Sequence, residues 1–181
     1  MTGSPCIQQA TMKKDKSNLV LIGMPGSGKS TVGIILAKMT SRNFIDTDIL
    51  IQCREGRCLQ NIVDTDGHMA LRKVEEEVLL SVNCRDYVIA TGGSAAYSHA
   101  AMSHLRIDGT VVFLHATMDT LNARIRNYAT RGLAKRPDQS FADLFQERLT
   151  LYRRYADITI ENDNLTQEDV CGKIMQELGS R

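Results

Sequence analysis

The sequence predicts an α/β fold, a three-layer αβα sandwich around a mainly five-stranded parallel sheet. The first observation is that short apolar runs alternate with segments of helical periodicity, as in parallel α/β proteins. The candidate strands are at 18–22, 43–45, 87–90, 110–114 and 156–160. The second is that several runs end directly in glycines or acids, which is typical of strand ends that face a ligand crevice. The third is the length of 181 residues, which suits one domain.

Bulk composition excludes several classes of partner. The chain has 22 Lys+Arg and 21 Asp+Glu, a net charge of +1, so the sequence predicts no basic surface for nucleic acid. No apolar run reaches the roughly 18 residues that a membrane span needs. The five cysteines are scattered without paired C-x-x-C spacing, which is typical of thiols in a reducing compartment. We therefore expect a cytoplasmic monomer that acts on a small molecule and binds neither nucleic acid nor membranes.

Residues 1–17 are polar and mixed in character, and we expect a disordered tail there, before a single domain at 18–181. The first predicted strand then runs into the glycine-rich segment 23–31, which fits G-x-x-x-x-G-K-[ST] and is followed by a helical pattern to about Met39. A flexible Gly-Ser turn is the alternative, but the strand before it and the helix after it favour a nucleotide-phosphate loop, the P-loop NTPase fold. Lys29 would neutralise phosphate oxygens, and the Ser30 hydroxyl would bind Mg²⁺. The backbone that wraps the phosphates is that of Gly26, Ser27, Gly28, Lys29, Ser30 and Thr31.

The second predicted strand ends in Asp46-Thr47-Asp48. If strand geometry continues, both carboxylates point the same way and can reach Mg²⁺ or a substrate hydroxyl. The alternative is that Asp48 caps a helix that begins at Ile49. Capping explains one aspartate better than two.

A helical pattern follows from Leu59 to Leu80, broken near Gly67, with its later apolar face at Met69, Leu71, Val74, Val78 and Leu79. Arg72 and Glu75 are three residues apart and so share a helix face. They form either a surface ion pair or a functional unit, in which Glu75 orients Arg72 to bind a carboxylate.

The third predicted strand runs into Gly92-Gly93, which is either a tight turn or a set of N–H donors for an oxygen ligand. Residues 131–138 combine basic side chains with Gly132 and Pro137, which break helices. A basic, breaker-rich loop opposite a phosphate site predicts a mobile lid at about 128–140. An amphipathic helix at 165–178 completes the chain.

These elements together resemble the shikimate kinases, small P-loop kinases of the nucleoside-monophosphate-kinase type. The resemblance covers residues 19–160 and rests on the order and spacing of several motifs. They are the loop at 23–31, Asp46-Thr47-Asp48, Gly56-Arg57, Gly67, Arg72 with Glu75, Gly92-Gly93, a lid arginine, and Arg148 before Leu151-Tyr152-Arg153-Arg154.

The resemblance implies an ATP-dependent enzyme that converts shikimate to shikimate 3-phosphate and ADP, in the chorismate route to aromatic amino acids. It implies that Lys29 and the loop hold ATP with Arg124 near the adenine, and that Ser30 and Asp46 hold Mg²⁺. Asp48 would meet the reacting hydroxyl, and Arg131 would close over the phosphates, so that Lys29, Asp48 and Arg131 are the catalytic set. The shikimate site would comprise Asp48, Arg72, Gly92, Gly93 and Arg148.

Four departures from the family pattern concern the acceptor and the lid. Ser94 replaces a third glycine, Leu71 an aromatic and Gln52 a glutamate, and the lid reads Arg131-Gly132-Leu133-Ala134 in place of Arg-Pro-Leu-Leu. No phosphate-handling group is lost. Two alternatives therefore stay open: a kinase for another small carboxylated alcohol, and a nucleotide-binding regulatory module without turnover. Arg131 and Arg136 are both candidates for the lid cation.

Overall fold

The computed structural model describes residues 16–125 and 132–180. The strands are β1 (Asn18–Ile22), β2 (Asn43–Asp46), β3 (Tyr87–Ala90), β4 (Gly109–His115) and β5 (Ile158–Glu161). The helices are α1 (Lys29–Met39), α2 (Thr47–Glu55), α3 (Leu59–Asp66), α4 (His68–Ser81), α5 (His99–Asp108), α6 (Met118–Arg124), α7 (Phe141–Tyr155) and α8 (Gln167–Gly179), with a 3₁₀ helix at Ala95–Tyr97. Residues 128–131 of the predicted lid lie outside the described part of the chain, and so does Arg131 itself.

All five strands pair in parallel, in the order β2-β3-β1-β4-β5. The central strand β1 is buried on both faces, as parallel sheets with helices on each side require. Alternate residues of β1 face opposite layers. Leu19 and Leu21 pack with α1 and α8, whereas Val20 and Ile22 pack with α4, α5 and α7. The predicted three-layer αβα fold is confirmed.

Three details differ from the sequence-based expectations. Strand β5 begins at Ile158, not 156, because Ala156 still belongs to the end of α7, where its N–H bonds the carbonyl of Tyr152. Met69 is 62% exposed and does not belong to the apolar face of α4. It lies in the first turn of the helix, before Leu71 begins the buried face.

The third difference concerns Asp46-Thr47-Asp48. Helix α2 begins at Thr47, so the strand geometry that would align the two carboxylates does not continue. The capping residue is Asp46, not Asp48, since the Asp46 carboxylate accepts the N–H of Asp48 at 2.9 Å. Both expectations for this tripeptide were wrong in geometry, although each aspartate still lies beside the phosphate loop.

The first two described residues, Lys16 and Ser17, contact the rest of the domain. Lys16 forms an ion pair with Asp157 at 3.1 Å, and the carbonyl of Ser17 accepts a hydrogen bond from Arg42. Residues 1–15 lie outside the described part. Across 16–125 and 132–180, no helix is long and apolar enough to cross a membrane.

Candidate active site

A cavity of about 470 Å³ opens at the carboxyl ends of β1, β2 and β3. Strand order explains its position, because the chain leaves adjacent parallel strands at one edge of the sheet, where ligands of open α/β folds bind. The lining residues form two groups. The residues around the phosphate loop are Pro25, Gly26, Gly28, Lys29, Ser30, Thr31, Arg124 and Gln167. The residues of the second part, called the acceptor recess below, are Asp48, Ile51, Leu59, Leu71, Glu75, Thr91, Gly92, Gly93, Ser94, Gly132, Leu133, Ala134 and Arg148.

The phosphate loop ends at the N-terminus of α1. Gly28 caps this helix with φ 94°, a left-handed conformation that favours glycine. The first-turn N–H groups of Lys29, Ser30 and Thr31 have no carbonyl acceptor within the helix, and the helix dipole adds positive potential there. These donors face the cavity and suit a phosphate.

Lys29 is buried beneath the loop, where its ammonium donates to the carbonyls of Gly23 at 2.8 Å and Met24 at 2.9 Å. Burial lowers the pKa of Lys29 to about 8, and the nearby Asp48 carboxylate opposes part of that shift. Lys29 is therefore largely protonated at neutral pH, and it brings a poorly solvated positive charge to the loop.

A hydroxyl and a carboxylate meet beside this loop. Ser30 Oγ donates to Asp46 Oδ2 at 2.5 Å. Oxygen donors of these two kinds suit Mg²⁺, which binds one or two protein oxygens and completes its shell with phosphates and water. Among the described residues, no group of three or more His, Cys, Asp or Glu side chains could hold a metal by itself. The pair thus fits an ion that arrives with a phosphate ligand.

Two carboxylates flank Gly92, that of the buried Glu75 and that of the half-buried Asp48. A Cβ on this glycine would lie 2.3 Å from Glu75 Oε1 and 2.6 Å from Asp48 Oδ1, so the backbone must lack a side chain there. Burial raises the pKa of Asp48 to about 6 and that of Glu75 to about 7. Ser94 Oγ donates to Glu75 Oε2, while Glu75 Oε1 is buried with no hydrogen-bond partner.

The glycine turn offers fewer donors than the sequence suggests. The N–H of Gly92 donates to Thr47 Oγ1 at 3.1 Å, so the expectation that both glycines present open N–H groups was wrong for Gly92. Thr47 takes this donor because α2 begins at Thr47, which puts its side chain against the turn. The Gly93 carbonyl accepts a hydrogen bond from the Tyr152 hydroxyl at 2.6 Å, which fixes the backbone of the turn.

The two predicted carboxylate-binding arginines lie on either side of one backbone carbonyl. Arg148 and Arg72 donate to the carbonyl of Ala134 at 3.0 Å and 3.2 Å. Arg148 is 1% exposed and lines the main cavity, whereas Arg72 lines an adjoining cavity of about 360 Å³ that shares Glu75 and Ser94. The Nε atoms of both arginines are buried and have no partner.

Arg72 and Glu75 form no ion pair in the described part of the chain, so the surface ion pair was a wrong prediction, and so was the orientation of Arg72 by Glu75. The binding of a carboxylate by Arg72 stays a prediction. Glu75 turns inward to Ser94, while the Arg72 guanidinium carbon lies 3.5 Å from the centre of the Tyr97 ring. The helix spacing places the two residues on one face, but Glu75 belongs to its buried part and Arg72 to its edge.

At the opposite end of the cavity, Arg124 donates to the side chain of Asn162 at 3.3 Å and to its carbonyl at 3.1 Å. Asn162 is buried and donates in turn to the carbonyl of Ser27 at 2.7 Å. These contacts fix Arg124 beside the phosphate loop.

Sequence reasoning missed Asn162, Tyr97 and the carbonyl of Ala134. A signal existed for Asn162, because it directly follows β5 and polar residues at strand ends face the crevice. Tyr97 carries no motif, and no sequence rule indicates which backbone carbonyl an arginine will meet.

Comparison with known proteins gives a consistent result. The shikimate kinase family model matches residues 25–179. A shikimate kinase of Pseudomonas aeruginosa is 37% identical over 164 residues, covering 89% of this chain and 95% of that protein. That of Sulfurihydrogenibium sp. is 34% identical over 165 residues, 91% of this chain and 99% of that protein.

Solved structures agree. The Acinetobacter baumannii shikimate kinase in complex with shikimate has a TM-score of 0.82 at 32% identity, over 91% of this chain and 93% of that chain. The Aquifex aeolicus shikimate kinase has a TM-score of 0.74 at 30% identity, over 90% of this chain and 96% of that chain. A phosphate loop, a buried acceptor recess and these similarities lead to one conclusion: the chain belongs to the shikimate kinase family.

Proposed function

We propose that this chain is an ATP-dependent kinase that transfers the γ-phosphoryl group of ATP to a hydroxyl of shikimate, giving shikimate 3-phosphate and ADP. The observation that carries the proposal is a single cavity in which a phosphate loop faces a recess with a half-buried carboxylate, Asp48, and a buried guanidinium, Arg148. Phosphoryl transfer needs positioning and charge neutralisation more than covalent participation by the protein. This cavity offers both.

Arg148 and Arg72 support an acceptor with a carboxylate. Their two positive charges share a neutral carbonyl acceptor, and across the described ranges neither guanidinium forms an ion pair with a protein carboxylate. Buried guanidinium groups are favourable when an anion completes their hydrogen bonds. A carboxylate that binds the two arginines would relieve their repulsion, and the pair would orient the acceptor ring.

Asp48 is the anchor of the acceptor hydroxyl and the candidate general base. Its pKa, raised to about 6 chiefly by burial, leaves it ionised at neutral pH and still basic enough to accept a proton. In the proposed step the hydroxyl proton passes to Asp48, the freed oxygen forms a bond to the γ-phosphorus, and the bond from that phosphorus to the β-phosphate oxygen of ATP breaks to release ADP. The Gly93 N–H remains as a backbone donor to the acceptor, since the Gly92 N–H is bound to Thr47.

For ATP we assign Lys29 and the backbone of Gly26, Ser27, Gly28, Ser30 and Thr31 to the phosphates, and Arg124 to the adenine end. We assign Mg²⁺ to Ser30 and Asp46, whose touching oxygens fit a small hard cation. When bound, Mg²⁺ neutralises phosphate oxygens. Arg131, which lies outside the described residues, keeps its proposed role as the lid cation over the phosphates, with Arg136 as the alternative.

Two wall residues favour a second candidate, a kinase for another small carboxylated alcohol. Leu71 lines the recess at a position where the family pattern has an aromatic residue, and Ser94 donates a hydrogen bond to one carboxylate oxygen of Glu75. The test is ADP release with ATP and Mg²⁺ across a panel of cyclic and linear hydroxy acids. Shikimate should give the highest kcat/KM. A higher kcat/KM for another acid would identify that acid as the substrate. No phosphoryl transfer to any acid would favour a regulatory module.

A further inference from the structure

We propose that Tyr97 is a positioning residue for the acceptor, which holds the Arg72 guanidinium in place through its aromatic ring. This inference rests on the proposed function, since it concerns how the acceptor's carboxylate is bound. Tyr97 is the last residue of the 3₁₀ helix that follows the glycine turn, and its N–H donates to the carbonyl of Ser94 at 3.0 Å.

The ring lies directly beneath Arg72. The Arg72 guanidinium carbon is 3.5 Å from the ring centre, and that of Arg148 is 5.5 Å away. A guanidinium this close to an aromatic face is held by cation–π attraction and by stacking. Among the described residues, this guanidinium also donates a hydrogen bond to the neutral carbonyl of Ala134, and its Nε has no partner. The ring therefore supplies a large part of what fixes Arg72.

The hydroxyl of Tyr97 fixes the ring in turn. It donates to Glu147 Oε1 at 2.6 Å, and Glu147 Oε2 accepts from Gln139 at 2.6 Å and from Arg136 at 3.4 Å. The Tyr97 hydrogen bond holds the pKa of Glu147 below its usual value, so Glu147 remains a charged acceptor. Glu147 also directly precedes Arg148 on α7.

These contacts connect the two arginines without placing Tyr97 on the substrate. Tyr97 is not among the residues that line the main cavity, and it contacts Arg72 through its aromatic ring. Loss of the ring should leave Arg72 free to adopt other rotamers, so that the acceptor must order it on binding. The cost should fall on the acceptor KM, while the ATP KM is unchanged.

The test compares Tyr97→Leu, Tyr97→Phe and wild type, with KM measured separately for shikimate and ATP. Tyr97→Leu should raise the shikimate KM by roughly 3- to 30-fold, the range that a cation–π contact supports. Tyr97→Phe keeps the ring and should restore most of the affinity. The matched control is Tyr87→Leu, a half-buried tyrosine at the far end of β3, which should leave both KM values unchanged.

A double variant separates positioning from general damage. If Tyr97 acts through Arg72, Tyr97→Leu should add less than about twofold in an Arg72→Ala background. Three results would overturn the proposal: an unchanged shikimate KM in Tyr97→Leu, an equal rise in both KM values, or a Tyr97→Phe variant as impaired as Tyr97→Leu. Absence of transfer to shikimate by wild type would instead contradict the proposed function itself.

Discussion

At the scale of single residues, the acceptor recess combines groups that are costly to bury. Asp48, Glu75, Lys29 and Arg148 are all buried or nearly so, and burial shifts the pKa values of the two carboxyls upward and that of the lysine downward. Such opposed shifts in one cavity are typical of functional sites. They give Lys29, Asp48 and Glu75 a measurable signature.

Asp48 should set the acid limb of the pH profile. With a pKa of about 6, its carboxylate is progressively protonated below that pH, and a protonated Asp48 cannot accept the hydroxyl proton. We expect kcat/KM for shikimate to fall about tenfold per pH unit below pH 6. Steady-state rates between pH 5 and 8 test this, and a flat profile across that range would contradict a base of this pKa.

Glu75 should make the protein less stable at alkaline pH. Its folded-state pKa of about 7 is above the ordinary value of 4.5 for a glutamate, so the stability that it contributes is present below about pH 4.5 and is lost as pH rises through 7. Glu75→Gln removes the charge and can keep the contact with Ser94. We expect this variant to gain Tm by a few degrees relative to wild type at pH 8, and to gain less at pH 5. An equal difference at the two pH values would contradict the assigned cause.

Arg148 and Arg72 should govern acceptor affinity. A lost charge-assisted hydrogen bond costs about 1.5–3 kcal/mol, or roughly 10- to 150-fold in KM. We expect Arg72→Ala and Arg148→Lys to raise the shikimate KM within that range and to change the ATP KM little. The control is Arg153→Ala, which removes an exposed arginine on α7, the helix that carries Arg148. Unchanged shikimate KM values in both variants would contradict the assignment.

At the scale of elements, the start of α2 connects the proposed Mg²⁺ site to the fold. Asp46 ends β2, caps α2 and contacts Ser30. Asp46→Asn keeps a good capping side chain but removes the charge, whereas Asp46→Ala loses both. We expect the Asn variant to need more Mg²⁺ at nearly wild-type stability, and the Ala variant to lose about 0.5–2 kcal/mol of stability as well.

Comparing Asp46→Asn with Asp46→Ala is informative because it separates the loss of Mg²⁺ affinity from the loss of stability. Mg²⁺ titrations of the rate and urea unfolding of the same samples provide both quantities. An Asn variant with a wild-type Mg²⁺ requirement would exclude Asp46 from the metal site.

The glycine turn after β3 should not tolerate a side chain. A methyl group at Gly92 would overlap the carboxylates of Glu75 and Asp48, so Gly92→Ala should displace Asp48 and abolish most transfer while ATP binding persists. Gly172→Ala is the control, since nothing lies within 4 Å of its added carbon. It should leave activity unchanged and stabilise α8 by up to about 1 kcal/mol. Wild-type turnover in Gly92→Ala would be incompatible with this geometry.

At the scale of the whole molecule, the elements that could be predicted are those with a periodic apolar pattern or a sequence motif. Strands β1 and β3 and the helix after the phosphate loop are as predicted, because apolar runs and glycine spacing are local signals. The αβα sandwich follows from their alternation. The Asp46-Thr47-Asp48 geometry could not be predicted, since both a strand end and a helix start are locally compatible with it.

For the acceptor recess, the sequence indicates candidate residues but not the contacts that they make. Arg148 and Gly93 line one cavity with Asp48 and Arg72 lines the adjoining one, whereas the hydrogen-bond partner of Glu75 is Ser94 and the aromatic contact of Arg72 is Tyr97. Those pairings join residues 19 and 25 positions apart across α4 and the turn after β3. Tertiary packing decides them, and a single sequence carries no signal for it.

The central claim is that one cavity couples the phosphate loop to a shikimate site through Asp48. The most direct measurement is shikimate-dependent ADP release by wild type and by Asp48→Ala, with ATP binding measured on both proteins. We predict rapid release by wild type, a loss of 10²-fold or more in the variant and equal ATP affinity. No shikimate-dependent release by wild type, or undiminished release by Asp48→Ala, would contradict it.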